Sequence, residues 1–273
     1  MISRWFLSAM CGTWLLVAGC APAPQPPAQT ADHSVHEHSH SHPASVPANV
    51  VFENLSGELS AGQSTPVTFH LEQGGERVGK LEPTHEKLMH LILVREALDQ
   101  FLHLHPTVSD NGQAKIDLSV PEPGLYHVYV DYKPMGGQPG TARTTLTVAG
   151  DSRPAAELKT TAPGEVVADE LSADIAIAAG ADGKSQTITF RLKDRQTADP
   201  VKDLEPYLGA MGHLVVIQAA TKAYIHAHPE HDTGATSEVA FEVHPPASGQ
   251  YAGWAQFQRG GAVVTVPFVF DVP

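Results

Sequence analysis

The chain contains one unit written twice, and that repeat constrains its fold more than any other feature. Leu81-Glu82-Pro83 returns as Leu204-Glu205-Pro206, an offset of 123. The same offset carries His90 onto His213, His103 onto His226, His105 onto His228 and Pro106 onto Pro229. Both copies therefore spell H-x12-H-x-H-P, each beginning eight residues after a glutamate. Around these anchors, Thr68-Phe69-His70-Leu71 resembles Thr189-Phe190-Arg191-Leu192. Pro123-Gly124-Leu125-Tyr126 likewise resembles Ser248-Gly249-Gln250-Tyr251, with offsets of 121 and 125 that imply short loop insertions.

Each copy reads as β structure. The first offers strands at Pro66–Gln73, His90–Val94, Phe101–His105, Lys115–Val120, Tyr126–Lys133 and Thr141–Val148. The second offers Gln186–Asp194, His213–Gln218, Tyr224–His228, Glu238–Val243, Tyr251–Arg259 and Ala262–Val272. These runs are short, rich in β-branched and aromatic residues, and bounded by Gly, Pro, Asp or Asn. About seven such strands in roughly 100 residues is the arithmetic of an immunoglobulin-like sandwich, and a Tyr corner before a long strand fits that plan. The expectation is an all-β chain with two tandem immunoglobulin-like β-sandwich domains, 49–150 and 151–273. The boundary falls in 150–164, where Pro, Ala, Thr and charge replace alternation.

The residues ahead of the repeat read as an address and a tether. Arg4 precedes a mostly apolar segment, Trp5 to Ala18, which is too short to span a bilayer as a permanent helix. It ends Leu16-Val17-Ala18-Gly19-Cys20, the pattern of a bacterial lipobox. The expectation is a lipoprotein signal peptide over 1–19 and lipidation of Cys20. This places the protein in the cell envelope, facing the periplasm (outer membrane ahead of inner) or at the cell surface. Residues 20–48 carry Ala, Pro, Gln, Ser and His with almost no large apolar side chain, a linker composition. Within it, His33, His36, His38, His40 and His42 form a tract able to wrap a divalent ion, or simply a polar spacer.

Losing Cys11 with the signal and Cys20 to lipid leaves no free thiol, so any metal must be held by His, Met, Asp or Glu. The net charge of −13 argues against a sequence-independent grip on nucleic acid. A hairpin centred on 95–100 sets His90 opposite His105 and Ile92 opposite His103. Side chains alternate along a strand, so His90, His103 and His105 share one face. Opposed Cβ atoms lie about 5 Å apart, within reach of a common ion. The second copy does the same for His213, His226 and His228. Clustered neutral imidazoles need a partner for both ring nitrogens, and a transition metal supplies one. The plainer alternative leaves these rings at the sandwich rim, satisfied by loop carbonyls. His85, Met89, Met211 and His231 are possible additional ligands, with Asp232 near the last. Glu82 and Glu205 read as equivalent loop positions, and His70, His127 and His244 as surface histidines.

Three segments, Leu204-Glu-Pro-Tyr-Leu-Gly-Ala-Met-Gly-His213, Ile225-His-Ala-His-Pro229 and Phe257-Gln-Arg-Gly-Gly261, resemble bacterial secreted proteins of the YtkA-like and heavy-metal-associated kind. The resemblance implies immunoglobulin-like domains in a metal-handling setting. The first copy departs from it at Leu81-Glu-Pro-Thr-His-Glu-Lys-Leu-Met-His90, which lacks the Gly-Ala-Met-Gly turn, so equal affinity in the two copies is not implied. The function expected is non-enzymatic: capture of copper, with zinc as the alternative ion, and handover to a metal exporter or chaperone. No Ser/His/Asp order, Gly-rich phosphate loop or zinc-protease helix motif points to catalysis. The rival expectation is a structural or adhesive tandem sandwich whose histidines are incidental.

Overall fold

A computed structural model describes residues 47–55, 58–151, 157–162, 164–229 and 236–273. The signal segment, Cys20, the 33–42 histidine tract, His231 and Asp232 lie outside the described residues. The first repeat comprises β1 (Asn49–Phe52), β2 (Leu59–Ser60), β3 (Ser64–Gln73), β4 (Glu76–Arg77), β5 (Met89–Arg95), β6 (Phe101–Leu104), β7 (Thr107–Val108), β8 (Ala114–Ser119), β9 (Gly124–Tyr132) and β10 (Gly140–Ala149). The second comprises β11 (Glu165–Ala168), β12 (Leu171–Ala179), β13 (Gln186–Asp194), β14 (Leu204–Glu205), β15 (His213–Gln218), β16 (Tyr224–Ala227), β17 (Glu238–Val243), β18 (Gly249–Arg259) and β19 (Ala262–Val272). Among the described residues no helix is long and apolar enough to cross a membrane.

Each repeat is a two-sheet sandwich. In the first, β1-β3-β8-β7 with β4 beside β3 form one sheet, and β2-β10-β9-β5-β6 the other. In the second, β11-β12-β13-β17 form one sheet, and β14-β18-β15-β16 with β19 beside β18 the other. Leu71, Phe69, Leu91, Leu93 and Val130 meet in the first core, and Phe190, Leu192, Leu214, Val216 and Phe257 in the second. The Tyr corner is present twice: Tyr126 Oη donates to the Glu122 carbonyl at 2.9 Å and Tyr251 Oη to the Ala247 carbonyl at 2.6 Å. Each tyrosine thus ties the start of its long strand to the loop that enters it.

Every strand read from the sequence is present, with ends within two residues. The largest strand not foreseen is β12, which pairs with β13 from Leu171↔Asp194 to Ala179↔Gln186. Its sequence, LSADIAIAA, is rich in alanine, a poor strand former, and the ladder overrides that propensity. His70 also departs from the surface placement expected of it. It is only 7% exposed, with Nδ1 2.9 Å from Glu53 Oε1 and Nε2 3.1 Å from Glu72 Oε1. His127 is half-buried against Glu96, and His244 is exposed.

The central strands decide how the repeats meet. All seven residues of β5 and all six of β15 are buried, a pattern that arises when a strand is covered on both faces. Met89, Leu91 and Leu93 point into their own sandwich, while Ile92 and Val94 point out of it. In the second repeat Leu214 and Val216 point inward, and Val215 and Ile217 outward. The outward residues join Leu98, Tyr129, Ala252 and Trp254 in a third apolar cluster between the sandwiches. Phe101 stacks on Trp254 with centroids 5.0 Å apart, and Tyr224 stacks on Tyr129 at 4.5 Å. These two stacks occupy equivalent places with the repeats exchanged, so the interface has approximate twofold character.

Candidate metal centre

The β5–β6 ladder pairs Leu91 with Leu104 and Ile92 with His103; the β15–β16 ladder pairs Leu214 with Ala227 and Val215 with His226. That register carries His90, His103 and His105 onto one face and His213, His226 and His228 onto the equivalent face. Ring centroids in the first triad are 4.8–5.3 Å apart. In the second they are 4.7–5.6 Å apart. Each triad offers three nitrogens lying within 4.8 Å of one another.

Hydrogen bonding fixes which nitrogens those are. His90 Nε2 lies 2.9 Å from the Thr84 carbonyl, and His213 Nε2 lies 2.8 Å from the Tyr207 carbonyl. A carbonyl only accepts, so each Nε2 carries the proton and each Nδ1 is bare. His103 Nδ1 donates to Gln256 Oε1 at 2.7 Å, which bares its Nε2, and His226 Nδ1 donates to the Asp131 carboxylate at 2.9 Å, which turns its Nε2 toward His213. In the first triad two lone pairs then face each other, His90 Nδ1 and His103 Nε2 at 3.0 Å; in the second the bare His213 Nδ1 faces His226 Nε2 at 3.4 Å. The third nitrogens, His105 Nε2 and His228 Nε2, are buried without a partner.

Protonation of His103, His105, His213 or His228 does not relieve this. Burial, reinforced by neighbouring imidazoles, pushes His103, His213 and His228 down to about 2 and His105 to about 4, and lowers His90 and His85. An ion does relieve it. Zn–N bonds of about 2.0–2.1 Å at a tetrahedral angle set donor nitrogens about 3.4 Å apart. Imidazoles whose remaining N–H is held by a carbonyl, carboxamide or carboxylate are the usual form of a metal-ligating histidine.

The two triads lie on facing surfaces of the interdomain contact and form one cluster. His90 and His103 each lie 5.6 Å from His226, ring centre to ring centre, and His103 lies 6.1 Å from His213. The orienting groups cross over. Asp131, which pairs with His90 in the sheet of the first repeat, holds His226 of the second. Gln256, which pairs with His213, holds His103 of the first.

The sequence-derived candidates divide accordingly. His85 reaches the cluster, though against the other repeat: it stacks on His228 at 3.5 Å. Met89 and Met211 are corrections, since both are buried among core residues of their own sandwiches and contribute no thioether to the rings. Glu82 and Glu205 accept bonds from the backbone N–H groups of Gly136 and Gly261, which pins equivalent hairpin turns away from the triads. Asp131 and Gln256 were missed. Their signal was available in the offset of 125 that relates Tyr126 to Tyr251, together with the outward alternation of Tyr129 and Asp131 along β9.

Fold and clusters together define a tandem β-sandwich protein with a histidine centre at its interdomain face. The chain belongs to the family described as Domain of unknown function (DUF8832), whose profile matches residues 48–150 and again 165–273. No curated protein matches it. Solved structures with some likeness include a tetra-tandem repeat from the extending region of a large adhesion protein. It is 9% identical, covers 83% of this chain and 49% of its own, and has a TM-score of 0.28. Another is a two-domain fibronectin type-III segment of chicken tenascin, 10% identical over 79% of this chain and 97% of its own, with a TM-score of 0.23. A third is a 1.5-MDa bacterial ice-binding adhesin, 11% identical over 83% and 64%, with a TM-score of 0.26. The chain spans about half the length of the adhesion-protein structure.

Proposed function

We propose that this protein captures divalent transition-metal ions, copper first and zinc as the alternative, one at each histidine triad. The observation that carries this reading is the arrangement of nitrogens. In each triad two imidazole nitrogens face each other and a third is buried unpartnered, while the outer N–H groups of the first two rings are already held. An all-imidazole donor set without thioether favours cupric copper or zinc, and the order of divalent affinities favours copper. The resemblance of 204–213 and 225–229 to YtkA-like proteins supports a metal-handling setting. The lipobox at Cys20 supports a lipid-anchored location in the envelope, from which cargo passes to an exporter or chaperone.

The test is metal analysis of the full chain with His33, His36, His38, His40 and His42 changed to Ser, so that only the triads report. Two ions per chain, reduced by His90→Ala and by His213→Ala, are expected. Less than one tightly held ion, indifferent to both substitutions, refutes the reading.

One observation favours a second reading, a rigid structural or adhesive unit. The Phe101–Trp254 and Tyr129–Tyr224 stacks hold the sandwiches together without an ion. That reading predicts a melting temperature unchanged by chelator.

A further inference from the structure

The two triads have equivalent backbones and unequal surroundings. Where Asp131 gives His226 a carboxylate, Gln256 gives His103 a neutral carboxamide. The Asp131 carboxylate is itself fixed, accepting from Thr141 Oγ1 at 2.6 Å and from Tyr224 Oη. Tyr224 corresponds to Phe101, which has no hydroxyl. A cation also differs between the copies: Lys87, bridged to Thr84 whose carbonyl holds His90, has Ala210, bridged to Tyr207, as its counterpart. The first repeat also lends His85 to the second triad, stacked on His228, while the position equivalent to His85 is Leu208.

Resting on the metal-binding reading above, we infer that the triads load in order, with His213, His226 and His228 taking the first ion and holding it more tightly, and Asp131 acting as the positioning residue that sets this order. A carboxylate on the outer N–H of a ligand raises the basicity of the nitrogen that meets the metal, and a carboxamide does so less. It also neutralises one charge of a divalent ion in a poorly solvated site, where that charge counts most. With one ion in place beside Asp131, the second enters a site bordered by Lys87 and by a neighbouring cation. The first triad is therefore the more readily exchanged one.

The test is a stepwise titration with Co2+, followed by its visible absorption, of the full chain carrying the five tract substitutions. Two separated steps are expected, the first lost in His213→Ala and retained in His90→Ala. Asp131→Asn keeps an acceptor for His226 and removes the charge; it is expected to weaken the first step about 10–100-fold. The double variant Asp131→Asn/Gln256→Glu moves the carboxylate to the other triad and is expected to invert the order, which a merely structural role would not do. Equal steps, or a first step lost in His90→Ala and kept in His213→Ala, overturn the inference and leave metal binding standing. Absence of binding by either triad overturns both. Should the Asp131 variants fail to fold, the two histidine variants alone still decide the order.

Discussion

On the metal-binding reading, removing the ions should cost this protein thermal stability by an amount set by the number of triads. Each triad exists only in the folded chain, because His90 and His103, or His213 and His226, meet through a ladder between two strands. An ion that binds the folded state alone stabilises it by RT ln(1 + [L]/Kd), about 2.7 kcal/mol at a free concentration 100 times Kd. In a protein of this size, 1 kcal/mol moves the melting temperature by about 2–4 °C. One occupied triad is therefore worth about 5–11 °C, and both about twice that. The triads lie across the contact between the sandwiches, so the gain should appear in one shared transition. The assay is differential scanning calorimetry of the tract-substituted chain, comparing zinc at about 100 times the weaker Kd with excess chelator. His90→Ala/His213→Ala should abolish the difference between the two conditions. A zinc-minus-chelator difference below about 2 °C, or one that survives the double substitution, refutes the reasoning.

Three further outcomes follow from the same geometry. Burial lowers His103, His213 and His228 to about 2 and His105 to about 4 from an ordinary 6.5, so on acidification the unfolded chain takes up protons before the folded one. Stability of the metal-free protein should hold above about pH 7 and fall steadily below about 6.5; a melting temperature that rises from pH 7 to pH 5 would contradict this. Trp254→Ala empties the centre of the interdomain cluster and removes the stack on Phe101, and should cost about 3–5 kcal/mol in urea unfolding; a loss under 1 kcal/mol would mean the sandwiches are not held there. Tyr251→Phe deletes the 2.6 Å bond to the Ala247 carbonyl and should cost about 1 kcal/mol with zinc binding intact; loss of zinc binding would show that the corner also positions the triad.

The sandwich and the convergence of each triad were legible because both depend on local rules. Period-two alternation marked the strands, and a hairpin centred on 95–100 gave the pairing of Ile92 with His103 that the ladder shows. The meeting of the two triads was not legible. MHLILVR in β5 and HLVVIQ in β15 read as buried strands, and a run without polar gaps says that both faces are covered. It does not say by what. The covering surface is the other repeat, and the docking of two domains depends on shape across residues far apart in sequence. Asp131 escaped notice for the same reason: its partner His226 is 95 positions away and in the other domain. β12 was hidden differently, since alanine carries no strand signal until a neighbouring ladder claims it.

What the copies share and where they differ fall on different layers of the molecule. Leu-Glu-Pro, the Tyr corners and H-x12-H-x-H-P hold backbone register, the turn-pinning carboxylates Glu82 and Glu205 included. The differences that bear on the triads are changes of charge or donor set: Asp131 against Gln256, Lys87 against Ala210, His85 against Leu208, Tyr224 against Phe101. A scaffold that served only to join two sandwiches has no need of an enclosed carboxylate, whose desolvation carries a cost, or of an additional imidazole beside six facing rings. On the metal-binding reading two unequal sites do gain from it, because an ion held with equal strength at both has no preferred direction of exchange. Among the differences between the repeats, these lie at the rings they bring together, on hairpins whose register is the same in both.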